Sequence, residues 1–142
     1  MSRSGYDDSC DGWDLIRWRG AVRSAIRGRR GQTFLREMLA AMDGLPAPRL
    51  IAHELIEDSE VCAIGSVMRA RGLDVSEIDP GEREEIAWVL GIAEALVAEV
   101  AFQNDECAGW EARPWIGETP EQRFTRMRRW VVRQLGEEDT DG

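Results

Sequence analysis

From Trp13 onward the chain places apolar residues three and four apart: Trp13, Leu15, Trp18, Val22 and Ile26, with Ala21 and Ala25 widening the stripe. That period predicts an amphipathic α-helix ending near Gly28. The Gly-Arg-Arg-Gly element at 28 to 31 predicts a break or bend. Thr33 is expected to cap a second helix with Leu35, Met38, Leu39 and Met42 on one face, stopped by Asp43-Gly44 and the prolines at 46 and 48. The stretch from Leu50 to Asp58, a short apolar run with one histidine and three acids, can be an extended connector or a helical turn, and is read as a short helix. Ser59 is expected to open a further helix through Val61, Ile64, Gly65 and Met68, ending at Gly72.

Two stretches carry the same start signal. Asp79, Pro80 and Glu82 offer an N-cap, a proline where its missing N–H costs nothing, and a glutamate three residues after the cap. Thr119, Pro120 and Gln122 repeat it. The first predicts a helix reaching Gly91, with Glu84 and Glu85 adding charge near its positive end. A fresh helix follows over Ala93, Leu96, Val97, Val100 and Ala101 to about Asn104. The second signal predicts a last helix with Phe124, Met127, Val131 and Leu135 on its apolar face. Residues 105 to 118, with Trp110 and Trp115, form a loop long enough to be functional. No strand pair, repeat or low-complexity linker stands out. The expected fold class is therefore all-α: a single compact domain of five or six helices over residues 13–136. A flexible polar segment at 1–12 precedes it, and an acidic disordered tail at 137–142 follows.

Charge sharpens this picture. All eighteen positive side chains are arginines, and fourteen of them lie outside residues 50 to 122, where four face seventeen carboxylates. Arginine pairs bidentately and stays charged at any physiological pH, so the segregation predicts docking, either of parts of the fold or of a partner. Arg19, Arg23, Arg27 and Arg30 fall at spacings of four, four and three, and Arg123, Arg126, Arg129 and Arg133 at three, three and four. Each set can bind phosphates, pair with the acidic middle, or be a solvated helix face. The acidic middle, with Glu82, Glu84 and Glu85 at a helix start, can imitate nucleic-acid phosphates on a basic groove, or simply solubilise the chain.

The net charge of −9 opposes non-specific attraction to nucleic acid or an anionic membrane, so direct nucleic-acid binding ranks second. Three cysteines, Cys10, Cys62 and Cys107, make no CxxC pair; they read as small buried thiols in a reducing compartment. No apolar run approaches the roughly 20 residues of a membrane span, and the chain is read as cytoplasmic.

Chemical motifs are thin. His53 to Glu57 begins like a zinc-protease helix but has glutamate where the second histidine must sit. No spacing selects His53, Cys62 and Cys107 as a metal site, so no metal is expected. Gly65-Ser66 lacks the glycine of a nucleophile elbow, and no phosphate-binding glycine fingerprint occurs, so no catalytic residue and no cofactor is assigned. Residues 62 to 79 align loosely to a helix-turn-helix, but its reading helix would present Asp74, Glu77 and Asp79 to phosphates.

Six segments carry a resemblance: residues 30–39 (RGQTFLREML), 61–65 (VCAIG), 69–74 (RARGLD), 90–93 (LGIA), 102–106 (FQNDE) and 118–123 (ETPEQR). In these the chain resembles a group of proteins carried by bacteriophages and prophages of GC-rich bacteria, over about residues 18 to 135. The resemblance implies a mobile-element setting, in which small acidic proteins bind and disable host factors, including defence nucleases and their RNA-guided complexes. The Asn104-Asp105 junction and the Cys62–Gly65 segment look like its signature and are expected to pack together. The expected function is a non-enzymatic protein that binds a host protein through a charged surface, as an anti-CRISPR or anti-restriction inhibitor would. The candidate partner-binding residues are Arg19, Arg23, Arg27, Arg30, Glu82, Glu84, Glu85, Trp110, Trp115, Arg126, Arg129 and Arg133. The alternative is a nucleic-acid-associated accessory protein using the arginine-rich helix faces.

Overall fold

A computed structural model describes residues 3–4, 12–107 and 117–135, with side chains in the first helix from Ile16 onward. The side chains of Trp13 and Leu15 of the first stripe, the loop tryptophans and the acidic tail lie outside this description. Six helices make up almost all the regular structure: α1 (Gly12–Arg27), α2 (Arg29–Asp43), α3 (Ala63–Ala70), α4 (Arg83–Leu90), α5 (Glu94–Glu106) and α6 (Pro120–Leu135). The fold is all-α. A two-stranded antiparallel hairpin, β1 (Ile56–Glu57) and β2 (Glu60–Val61), is the one sheet among the described residues.

The core is one apolar cluster. α2 is its axis: Phe34, Leu35, Met38 and Met42 are buried against α3 on one side and α6 on the other. α3 contributes Ile64, Val67 and Met68, α5 contributes Leu96, Val97 and Val100, and α6 contributes Phe124, Met127, Trp130 and Val131. α2 and α6 each turn one stripe inward, whereas α3 is buried all round over residues 63–68 and α5 over most of its circumference. α1 lies across α5 and the start of α2, with Val22, Ala25 and Ile26 half-buried. Its contact with α2 is unusually close, because a Cβ on Gly31 would meet the Ala25 carbonyl oxygen at 1.8 Å. Gln32 secures that corner by donating from Nε2 to the carbonyls of Ile26 (2.7 Å) and Gln134 (3.2 Å), tying the ends of α1 and α6 to the start of α2.

Several boundaries differ from the sequence expectation. α2 begins at Arg29 behind Gly28 rather than at Thr33, so the break falls at Gly28 and Gly31 is helical. Residues 50 to 58 are not a helix. Ile51 N–H donates to Val61, Cys62 N–H to Leu55, and Arg123 to the Leu50 carbonyl, which fixes the segment as irregular chain, bent at Ala52 and His53, leading into β1. Asp58 and Ser59 both take positive φ (51° and 71°), the backbone of a two-residue hairpin turn, so Ser59 turns a hairpin instead of opening a helix. α3 starts at Ala63, and its N-cap is Cys62, whose Sγ accepts from Gly65 N–H.

The two proline start signals have opposite fates. At α6 the capping box forms in full: Thr119 Oγ1 accepts from Gln122 N–H at 3.1 Å and Gln122 Oε1 accepts from Thr119 N–H at 2.9 Å. At Asp79 the carboxylate instead accepts from Gly81 N–H at 2.7 Å. That local turn consumes the cap, and α4 starts four residues later, at Arg83. The helix-turn-helix reading fails for a related reason, since residues 75–78 form a turn and not a second helix.

Candidate functional site

The α6 arginines are largely built into the fold. Arg126 forks onto Glu118 at 2.6 and 2.9 Å and donates to the carbonyls of Gln103 (2.5 Å) and Asn104 (3.2 Å) in the last turn of α5. Cations at a helix C-terminus are favoured, and here one guanidinium serves both the dipole and a buried carboxylate. Arg123 reaches the Leu50 carbonyl at 2.8 Å beside the same Glu118, and burial pulls its guanidinium below its ordinary pKa. Arg128 forks onto Asp43 of α2. Arg126 is thus a structural brace, contrary to its expected place on a docking face. Arg129 and Arg133 of the same set are exposed.

The α1 set behaves differently. Arg19, Arg23, Arg27 and Arg30 are all exposed, with Arg17 and Arg29 beside them. Among the described residues, no carboxylate forms an ion pair with any of these six. From Leu15 to Arg36 the chain contains seven arginines and no acid, so the α1–α2 corner is a continuous cationic surface. Elsewhere arginines find carboxylates: Arg71 forks onto Glu37 at 2.7 Å, which holds the Glu37 carboxyl below the usual range, and Arg49 bridges Glu60 and Glu121.

One of the acidic candidates, Glu84, lies close to Arg30 of this corner. Glu82, Glu84 and Glu85 are exposed at the start of α4, and Asp74, Glu77 and Asp79, which precede them in the chain, are exposed as well. Arg83, among these acids in sequence, pairs with Glu94 at 3.4 Å. Arg30 and Glu84 line one shallow open groove together with Ala87, Trp88, Gly91 and Glu94. Trp88 is 84% exposed, the most exposed of the large apolar side chains described. α4 buries Ile86, Ala87 and Leu90, which leaves the indole on the outer side. Gly91, at φ 74°, ends α4 with its N–H on the Ala87 carbonyl and opens the rim of the groove.

No family model, curated protein or solved structure matches this chain.

Trp88 is the functional candidate that the sequence reading passed over. The signal was present: it follows Glu84 by four and Glu85 by three, on the acidic side of its helix. Trp110 and Trp115 lie outside the described residues. The expected meeting of Asn104-Asp105 with Cys62–Gly65 does occur, since Asn104 Oδ1 accepts from Ala63 N–H at 3.1 Å. Among the described residues no group of three or more His, Cys, Asp and Glu is placed to hold a metal, and no helix is long and apolar enough to cross a membrane. The groove sets an exposed indole between charges of both signs.

Proposed function

We propose that this chain is a non-catalytic binding protein that docks a partner protein on the face shared by α1, the start of α2 and α4. Trp88 is the anchor, and the α1–α2 arginines and the 74–85 carboxylates are the charged rim. The observation that supports this most is the exposed Trp88 indole in a groove flanked by Arg30, Glu84 and Glu94. Tryptophan and arginine dominate binding energy at protein interfaces, and an aromatic body standing in water gains most from being covered. Carboxylates on the same rim repel phosphate, which favours a protein carrying both signs over a nucleic acid. In the mobile-element setting that the resemblance implies, the partner is a host protein, and occupying a defence complex would inhibit it.

The test is capture from host lysate with mass spectrometry, using the wild-type chain, Trp88→Ala, and the triple reversal Arg19→Glu/Arg23→Glu/Arg27→Glu. A partner held by the wild type and lost by both folded variants is the expected result; retention by both removes the proposed face. A second reading rests on the α1 corner alone, whose arginines pair with no carboxylate among the described residues and could follow a phosphate backbone. Gel shifts with DNA and RNA at low salt distinguish it: a shift abolished by the triple reversal and untouched by Trp88→Ala would favour that reading.

A further inference from the structure

Away from this face, one arginine is held as a ligand is held. Arg3 is 5% exposed. Its Nε and one terminal nitrogen fork onto Asp105 at 2.7 and 2.6 Å, and its other terminal nitrogen donates to the Glu54 carbonyl at 3.3 Å and to Cys62 Sγ at 3.4 Å. Ser4 follows it down, its hydroxyl donating to Glu106 at 2.7 Å. Within the segment expected to be loose, these two residues are therefore anchored.

The acceptors are assembled without help from Arg3. Asn104 Nδ2 donates to both the Ile51 carbonyl and Asp105, and the His53 N–H donates to Asp105 at 3.1 Å. Cys62 N–H is fixed on Leu55, Cys62 Sγ receives Gly65 N–H, and Ala63 N–H sits on Asn104. His53 adopts φ 71°, a costly conformation for a residue with a Cβ, and thereby presents its amide to Asp105. A carboxylate, a carbonyl and a sulfur converge here from three separate parts of the chain, with the Asp105 side chain 1% exposed. Without Arg3 the Asp105 carboxylate would keep only the Asn104 and His53 N–H donors and the His53 ring nitrogen at 3.7 Å, so an anion with unfilled acceptor capacity would face the vacated position, and its fork of acceptors fits a guanidinium better than an ammonium.

We propose that Asp105, Cys62 and the Glu54 carbonyl form a guanidinium-binding site in which Arg3 is a displaceable internal ligand, open to competition by an arginine side chain of a partner protein. In the resting chain the segment bearing Arg3 and Ser4 is then a strap over Cys62, whose side chain is fully buried. Displacement would expose a thiol that sits at a helix start. This site is separate from the Trp88 face and stands or falls without it.

The experiment uses the full chain with Cys10→Ser and Cys107→Ser, so that Cys62 is the single thiol. Alkylation rate and thermal midpoint are measured for this background, for Arg3→Ala and for Arg3→Ala/Asp105→Asn, each against rising methylguanidinium chloride, with sodium chloride as the ionic control. Expected are faster Cys62 alkylation in Arg3→Ala, then saturable slowing and a raised midpoint with methylguanidinium, and neither response in the double variant. If Arg3→Ala does not fold, Arg3→Lys keeps the charge without the fork and should gain a saturable but smaller midpoint rise, because methylguanidinium must displace the ammonium. A methylguanidinium effect no larger than that of sodium chloride overturns the site; alkylation of Arg3→Ala as slow as in the background overturns the strap.

Discussion

α1 and α6 are both sixteen-residue helices rich in arginine at helical spacing, yet one presents its guanidiniums to solvent and the other builds several of them into the fold. The difference lies in what each helix passes. α6 runs beside the carbonyl end of α5, the Glu118 carboxylate, the Leu50 carbonyl and Asp43, and each takes an arginine. α1 crosses α5 and the start of α2, and none of its described arginines meets a carboxylate there. Spacing aligns charges on a helix; the neighbouring surface decides whether they brace or recognise.

The largest expected break in this contrast is Arg126→Ala. Removing it deprives Glu118, 5% exposed, of its fork and strips two α5 carbonyls of a donor, so stability should fall by about 3 kcal/mol in chemical denaturation. Retained stability would mean that α6 does not depend on its inward arginine.

Acid should expose the same asymmetry. Burial raises the Asp105 carboxyl, but the hydrogen bonds and charge of Arg3 outweigh it and hold the group below the usual range; arginine hydrogen bonds do the same for Glu37 and Asp43. Because these folded values are depressed, their contribution is complete above the ordinary carboxylate pKa of about 4 and is lost as pH falls through the folded values. Unfolding free energy should thus be level from neutral pH to about 5 and decline below 4, and Asp105→Asn should flatten part of that decline. An unchanged acid limb in Asp105→Asn would contradict it.

Arg128→Ala tests the boundary case, since Arg128 and Asp43 are both nearly half exposed. Its fork sits in water, so the loss in denaturation should be at the edge of detection and should vanish in high salt. The smallest stability effect belongs to α1: Arg19→Gln/Arg23→Gln/Arg27→Gln should stay within about 0.5 kcal/mol of wild type, while partner capture falls. A large stability loss in this triple variant would show that these arginines also brace the fold.

The sequence disclosed what is local. The Thr119–Gln122 box, the stop at Gly91 and the inner faces of α2 and α6 involve partners within one or two turns, and all were readable. Asp79 shows the limit of such reading, because Gly81 N–H competed successfully for the carboxylate that should have capped a helix. The hairpin escaped notice because its strands are two residues each and its turn, Asp58-Ser59, takes positive φ without a glycine. The Arg3–Asp105 pair spans 102 positions and has no local trace. Likewise nothing in the arginine spacing of α6 separates Arg126, which faces α5 carbonyls, from Arg129, which faces solvent.

The close approach of α1 to α2 rests on the hydrogen atom that Gly31 has in place of a side chain. Residue 31 is consequently a shim: a single added carbon would overlap the Ala25 carbonyl and force α1, with its row of arginines, to shift against α2. The pitch of the cationic surface is therefore set from a buried position that carries no side chain of its own.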